Sequence, residues 1–194
     1  MEKTTMTDFT FYTPETASDT AKPILAEIEK GYGFIPNLFA YMAEAPTTLK
    51  AYLALNKLVG ETSLTPAQQQ IALLAASVEN TCEFCTVAHH AMGTMNKAST
   101  QTLSALANGE SINDPQDAEL VAFTQSVVKY RGRPDQDDID AFINAGFSKQ
   151  QIFEVMLVVS IKTLSNYINH LTQPEPNAEL LVMIEQENGQ AQTA

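Results

Sequence analysis

The 194-residue chain is poor in positive charge. It has 11 lysines and arginines against 23 aspartates and glutamates, which gives a formal net charge of −12. A surface this acidic repels the phosphates of nucleic acids and the headgroups of anionic lipids. The composition therefore predicts a protein that binds neither nucleic acid nor a membrane surface.

Long apolar runs and a leader segment are also missing. No stretch approaches the roughly 18 apolar residues that are needed to cross a bilayer. The first five residues contain no basic segment that is followed by an apolar one, as a secretory signal would be. We therefore expect a soluble protein in the cytoplasm, where thiols are kept reduced.

Cysteine is scarce, and its placement is informative. The chain has two cysteines, Cys82 and Cys85, and they form a single CxxC motif. In a reducing compartment, a pair at this spacing indicates redox or metal chemistry more than a structural disulfide.

The sequence also lacks the alternating pattern of β-strands, while apolar residues recur at helical spacing. We predict an all-α protein with an irregular arm over residues 1–17, one helical domain over 18–187 and a flexible tail over 188–194. Ser18-Asp19 and Thr65-Pro66 are predicted helix starts, and Asn80 with Glu83 predicts a capping box that opens a helix through both cysteines. Further helices are predicted over 98–108, 115–130, 135–145, 148–172 and 177–187.

A weak internal repeat accompanies this helical pattern. A shift of 83 residues aligns Leu64-Thr65 with Phe147-Ser148, and it places Cys82 on Ser165. The shift predicts two related helical units, of which one carries the thiols. Two unrelated amphipathic core helices would also produce much of this pattern.

The residues with chemical potential lie on one helical face. On a helix, Cys82, Cys85 and His89 stand at i, i+3 and i+7. The thiols are then close enough to form a disulfide, His89 can exchange a proton with Cys85, and the helix N-terminus favours a thiolate. Two other interpretations stay open: buried core cysteines, or a zinc site completed by His90 or His170.

The motif Cys82-x-x-Cys85-x-x-x-His89, after a helix that starts at Thr65-Pro66, resembles the alkylhydroperoxidase D-like group. This group belongs to the carboxymuconolactone decarboxylase superfamily, and residues 21–37 and 162–170 resemble its longer, peroxidase-related members. The resemblance covers about residues 15–175 and implies an alkylhydroperoxidase D-like helical fold that forms homotrimers or homohexamers. It also implies that Cys85 attacks the oxidant, Cys82 resolves the product and His89 relays a proton.

Two positions depart from the pattern of that family. Gln70 occupies the place of a glutamate in the proton relay, and Phe84 stands where the family has a histidine between the cysteines. Because a glutamine cannot accept a proton, we consider Glu79, three residues before Cys82, as a substitute in the relay.

These observations predict a thiol-dependent peroxidase that reduces alkyl hydroperoxides without a metal or another cofactor. An external dithiol, lipoyl-like or thioredoxin-like, would regenerate the thiol pair. A disulfide reductase or redox sensor with weak peroxidase activity is the first alternative, and a non-catalytic helical oligomer is the second.

Overall fold

The computed structural model describes residues 8–191, and these residues form helices joined by turns. No strand occurs within that range, so the all-α prediction is confirmed. The helices are α1 (Lys22–Tyr32), α2 (Asn37–Met42), α3 (Pro46–Gly60), α4 (Pro66–Glu79), α5 (Glu83–Met95), α6 (Thr100–Asn108), α7 (Pro115–Lys129), α8 (Gln136–Asn144), α9 (Lys149–Thr172) and α10 (Ala178–Ala191).

Helix α4 is the centre of the fold. It packs against α5, α6, α7 and α9, and residues 71–77 are buried without interruption. A helix that is buried on every side must be apolar around most of its circumference, as this run of leucine, isoleucine and alanine is. Because α5 and α9 both lie against α4, the central helix fixes the distance between the thiols and the polar residues of α9.

The start of α4 was predicted correctly. Thr65 accepts a hydrogen bond from the N–H of Gln68, and the Gln68 side chain accepts one from the N–H of Thr65. The same reciprocal box opens α9, where it joins Ser148 and Gln151. The two boxes are 83 residues apart, which is the shift of the internal repeat.

The start of α1 differs from the prediction. Ala21 is the N-cap residue, and Ser18 belongs to the preceding turn, where its hydroxyl accepts a hydrogen bond from the N–H of Ala21. The sequence predicts the end of this helix near Gly31 and Gly33, and Gly33 caps it at a φ of 81°, which favours glycine. For α6 to α9, the observed and predicted helix bounds agree within two residues.

The two ends of the chain were assigned to an arm and a tail. Residues 1–7 of the arm lie outside the described part, while Tyr12 donates its backbone N–H to Ala40 at 3.2 Å and so joins the rest of the arm to α2. Helix α10 continues to Ala191, beyond the end predicted at residue 187. The predicted tail, 188–194, therefore begins inside a helix, and its last three residues lie outside the described part.

Apolar side chains are exposed along one face of the long helix α9. Phe153, Tyr167 and Leu171 expose 75%, 57% and 59% of their surface, and their spacing of 14 and 4 residues places them on one side of the helix. Within residues 8–191, no helix has the length and apolar character that a membrane span requires. The homotrimer or homohexamer stays a prediction, and this face of α9 is the surface that we propose for it.

The capping box of α4 gives a first testable prediction. We expect Thr65→Ala to lower the free energy of unfolding by about 1 kcal/mol, because it removes the acceptor for the Gln68 N–H. Urea denaturation of both proteins measures the difference. Thr47→Ala, at an exposed position of α3, serves as the control, and an equal loss in that variant would contradict the role of the cap.

Candidate active site

A tight junction between α4 and α5 positions the two thiols. The N–H of Thr81 bonds to the carbonyl of Val78, and the N–H of Cys82 bonds to the carbonyl of Ser77, which together form a Schellman motif. Thr81 occupies the left-handed position of the motif at a φ of 53°, where a β-branched residue is strained. The turn therefore leads the chain directly from the buried end of α4 into the thiol pair.

The capping box predicted for the start of α5 is wrong. Asn80 is the C-cap of α4, two residues before the N-cap residue of α5, and its side-chain amide donates to Oδ1 of Asn166 at 2.9 Å. Helix α5 begins at Glu83, and Cys82 is its N-cap residue in an extended conformation. Cys85 is thus in the first helical turn, where free backbone N–H groups favour a negative charge.

Both thiols are buried and share one hydrogen-bond donor. Cys82 and Cys85 each expose 2% of their surface. The side-chain amide of Asn169 donates to the sulfur of Cys85 at 3.1 Å and to that of Cys82 at 3.5 Å. One amide therefore bridges the two sulfurs, and the CxxC pair predicted from the sequence is assembled.

A buried polar stripe on α9 faces the thiols. Its residues, Lys162, Ser165, Asn166 and Asn169, follow the i, i+3, i+4, i+7 spacing of one helical face, and all four are buried. Lys162 exposes none of its surface, which is rare for a lysine unless its charge is compensated. The Cys85 thiolate, to which Lys162 donates a hydrogen bond, supplies the opposite charge.

The environment separates the two thiols in acidity. The hydrogen bond from Cys82, helped by the charge of Lys162 and by hydrogen bonds from Lys162 and Ser165, holds the pKa of Cys85 at about 5 although burial opposes it. The same hydrogen bond to Cys85 and burial raise the pKa of Cys82 far above its usual value. Near neutral pH, Cys85 is therefore the thiolate and Cys82 is the thiol that donates to it.

His89 lies beside this pair, and both of its ring nitrogens are engaged. Nδ1 is 3.0 Å from Oε1 of Gln70, and Nε2 is 2.8 Å from Nζ of Lys162. Burial and the charge of Lys162 lower the pKa of His89 well below its usual value, so the ring is neutral. A neutral ring that accepts from Lys162 at Nε2 must donate from Nδ1, and Gln70 is the acceptor that fixes this tautomer.

Lys162 therefore links the predicted catalytic residues. It contacts both the Cys85 sulfur and the His89 ring, so the hydrogen-bonded chain runs from Cys85 through Lys162 and His89 to Gln70. Gln70 fills the relay position as a hydrogen-bond acceptor, although it cannot take up a proton. Glu79, the last residue of α4, is half-buried. The hydrogen-bond partners of the thiols are Asn169, Lys162 and Ser165 instead. A part for Glu79 in the relay stays a prediction.

The zinc interpretation gains no support from this geometry. Among the described residues, no three histidine, cysteine, aspartate or glutamate side chains form a group that could hold a metal ion. His89 has no free ring nitrogen to offer as a ligand, and the ring of His170 stacks on Tyr167 at a centroid distance of 6.1 Å.

A partly open, largely apolar cavity of about 300 Å³ leads to Cys85. Cys85, His89, Lys162 and Gln70 form its polar end. Most of the remaining wall is apolar and includes Phe34, Phe39, Tyr52, Met92, Leu180 and Met183. This combination of an apolar wall with a few converging polar groups is typical of a small-molecule site.

The α9 residues were missed by the sequence analysis as site residues. Lys162, Ser165 and Asn169 lie within a segment that matched the family pattern, but no role was assigned to them. The sequence pattern that could have identified these residues is a polar stripe at helical spacing inside an apolar helix. The stripe contains a lysine, which an amphipathic surface helix would not bury.

Comparisons with known proteins match one segment of the chain to a family and match the fold to solved structures. Residues 46–125 match the model of the carboxymuconolactone decarboxylase family. A peroxidase-related protein with an alkylhydroperoxidase D core from Ralstonia eutropha JMP134 superimposes with a TM-score of 0.80 at 21% identity, over 90% of this chain and 94% of its own. A peroxidase-related protein from Silicibacter sp. TM1040 gives a TM-score of 0.76 at 20% identity, over 92% and 95% of the two chains.

The structures of similar fold also include an enzyme of a different kind. The debrominase Bmp8 in complex with 2,3,4-tribromopyrrole gives a TM-score of 0.75 at 16% identity, over 95% of this chain and 99% of its own. No curated protein matches the chain significantly.

The segment that carries the thiol pair and His89 therefore belongs to the carboxymuconolactone decarboxylase family, and the family prediction is confirmed. The chain has the alkylhydroperoxidase D-like helical fold that was predicted. The relatives of this fold include peroxidase-related proteins and enzymes.

Proposed function

We propose that the protein is a thiol-dependent peroxidase that reduces organic hydroperoxides with the Cys82–Cys85 pair. The observation that carries the proposal is the acidic, lysine-paired Cys85 thiolate at the end of an apolar cavity. A thiolate is the nucleophile that attacks peroxides, and an apolar wall accommodates the organic part of the substrate.

In the first step, the Cys85 thiolate attacks the terminal oxygen of the hydroperoxide and the O–O bond breaks. Cys85 becomes a sulfenic acid, and the alkoxide leaves as the alcohol after it takes up a proton. Lys162 is the nearest cationic donor, and His89 accepts a hydrogen bond from it at Nε2. Lys162 therefore supplies this proton, and His89 holds the amine of Lys162 in position.

In the second step, Cys82 attacks the sulfur of the sulfenic acid, and water leaves. The proton of the Cys82 thiol and the hydroxyl of the sulfenic acid form that water, so the products are one disulfide and one alcohol for each hydroperoxide consumed. The bridging amide of Asn169 holds the two sulfurs side by side for this step. An external dithiol then returns the disulfide to two thiols.

The intact mass of the reduced protein tests the proposal directly. One equivalent of cumene hydroperoxide should remove two hydrogens and make both thiols resistant to alkylation. Thiols that stay reduced after long exposure would overturn the peroxidase assignment.

Replacement of the resolving thiol gives a second prediction. In Cys82→Ser, we expect one equivalent of hydroperoxide to add a single oxygen to the protein, because the sulfenic acid on Cys85 has no partner with which to condense. Intact mass spectrometry and dimedone labelling of Cys85 measure the product. Cleavage after Glu83 places residue 82 and Cys85 in different peptides, so the labelled residue can be located. Dimedone found only on residues other than Cys85 would contradict the assignment of Cys85 as the attacking thiol.

A disulfide reductase is the second candidate, and the identity of residue 70 favours it. The amide of Gln70 orients His89 but cannot exchange a proton, and thiol–disulfide exchange makes fewer demands on a proton relay than peroxide cleavage. Turnover of cumene hydroperoxide and of a model disulfide by the same preparation distinguishes the two candidates. Fast peroxide turnover without disulfide reduction would exclude the second.

A further inference from the structure

We propose that the oxidised thiol pair is regenerated from a separate entrance, an open groove at Cys82, by a dithiol that carries no negative charge. The inference rests on the proposed redox cycle and adds to it the sulfur that is attacked, the path of the reductant and the charge of the reductant.

Two separate hollows reach the CxxC motif. The apolar cavity is lined by Cys85 and not by Cys82. An open groove of about 670 Å³ is lined by Cys82 and not by Cys85. Its other walls are Thr81, Glu83, Phe84, Asn169, His170 and residues 173–176. The oxidant and the reductant therefore have different approaches to the pair.

Phe84 divides the two hollows. Its side chain is buried between the cysteines at the second position of α5, and it lines both the cavity and the groove. This is the position at which the chain departs from the histidine of the family pattern. A bulky apolar ring there separates the path of a peroxide from that of a polar reductant.

The chemistry of exchange favours attack on Cys82, the cysteine that lines the groove. A thiolate attacks a disulfide more readily when the departing sulfur is the more acidic one. The charge and the hydrogen bond of Lys162 stabilise Cys85 as the departing thiolate. Geometry and leaving-group stability therefore both direct the incoming thiolate to Cys82.

The charge of the groove selects the reductant. Glu83 and Glu175 line it, and the lining residues include no lysine or arginine. The whole chain adds a net charge of −12. An anionic thiol is therefore repelled where a neutral one is not, and the effect weakens as salt screens it.

Asn169 adds a polar contact at the base of the groove. It exposes 4% of its surface, and in the described part of the chain its Oδ1 accepts no hydrogen bond, while its amide donates to both thiols. This oxygen is an acceptor for the second thiol of the reductant.

The reaction balances as two exchanges. The first thiolate of the dithiol bonds to the Cys82 sulfur, the Cys82–Cys85 bond breaks, and Cys85 leaves as a thiolate. The second thiol of the reductant then attacks the first sulfur of the reductant, which is bonded to Cys82 in the mixed disulfide. This attack releases Cys82, which takes up a proton. Two electrons pass from the dithiol, which becomes a cyclic disulfide, to the protein.

Peptide mapping of a trapped intermediate tests which sulfur is attacked. The disulfide is first formed with diamide, so that the test does not depend on peroxide, and is then exposed briefly to neutral 2-mercaptoethanol and quenched with N-ethylmaleimide. Cleavage after Glu83 separates the two cysteines into different peptides. We expect the mercaptoethanol adduct on Cys82, and an adduct mainly on Cys85 would overturn the proposal.

Two dithiols that differ only in charge test the reductant. We expect dihydrolipoamide to reduce the diamide-formed disulfide about two- to fivefold faster than the anionic dihydrolipoate at low salt. Glu175→Gln should narrow that ratio, whereas Glu110→Gln, at an exposed position outside the groove, should leave it unchanged. Equal rates for the two dithiols, or reduction by neither of them, would overturn the charge selection.

Failure of the proposed peroxidase function would look different. In that case, cumene hydroperoxide would leave the thiols reduced, while the diamide-formed disulfide would still report the site of attack and the charge preference.

Discussion

Cys85→Ser should consume organic hydroperoxide no faster than the reductant alone, a loss of at least about a thousandfold in turnover. The reason is that the remaining thiol is unsuited to replace it. Once the Cys85 thiol is gone, burial still raises the pKa of Cys82, and Cys82 lines the groove instead of the cavity. Consumption of cumene hydroperoxide with excess dithiothreitol measures the effect.

The matched control for this prediction is the other cysteine. Cys82→Ser makes the same chemical change three residues away and should retain the first oxidation of Cys85, which a single-turnover measurement detects. Equal losses of that first oxidation in both variants would show that the substitutions disturb the junction between α4 and α5, and retained turnover in Cys85→Ser would show that Cys85 is not the attacking thiol.

The helices could be predicted from the sequence because their ends carry local signals. The capping box at Thr65 and the glycine after α1 each specify a boundary through hydrogen bonds or backbone geometry within a few residues. The start of α5 was misplaced because its signal is tertiary: Asn80 resembles an N-cap in sequence, but its amide is bonded to Asn166, 86 residues away. No local pattern contains that contact.

Only part of the candidate site could be predicted from the sequence, for the same reason. Cys82, Cys85 and His89 lie close in sequence, so helical spacing alone predicted their proximity. Lys162 joins them across 73 residues, and only the packing of α5 and α9 around α4 brings its amine to His89. The contact between Lys162 and His89 also gives Gln70 a role, although this residue stands in place of a carboxylate. Gln70 selects the tautomer of His89 that accepts a hydrogen bond from Lys162.

Lys162 is also the residue whose removal should alter the pH dependence most. The oxidation rate of the wild-type protein should follow the Cys85 thiolate, with half of its maximum near pH 5 and a plateau above about pH 6. In Lys162→Met, the neighbouring positive charge and its hydrogen bond are lost, so the pKa of Cys85 should rise, while the hydrogen bond from Cys82 continues to lower it.

The size and sign of this effect follow from the thiolate fraction. A thiol with the ordinary pKa of about 8.5 is only about 3% ionised at pH 7, so roughly thirtyfold is the upper limit of the fall in the Lys162→Met rate there, and the rate should recover as the pH rises. Lys149→Met removes the same charge from an exposed position at the start of α9 and should keep the wild-type profile. A variant that was merely misfolded would be slow at every pH, whereas loss of the thiolate's counter-charge moves the midpoint of the profile. A Lys162→Met midpoint that stayed near pH 5 would instead show that Lys162 does not contribute to the acidity of Cys85.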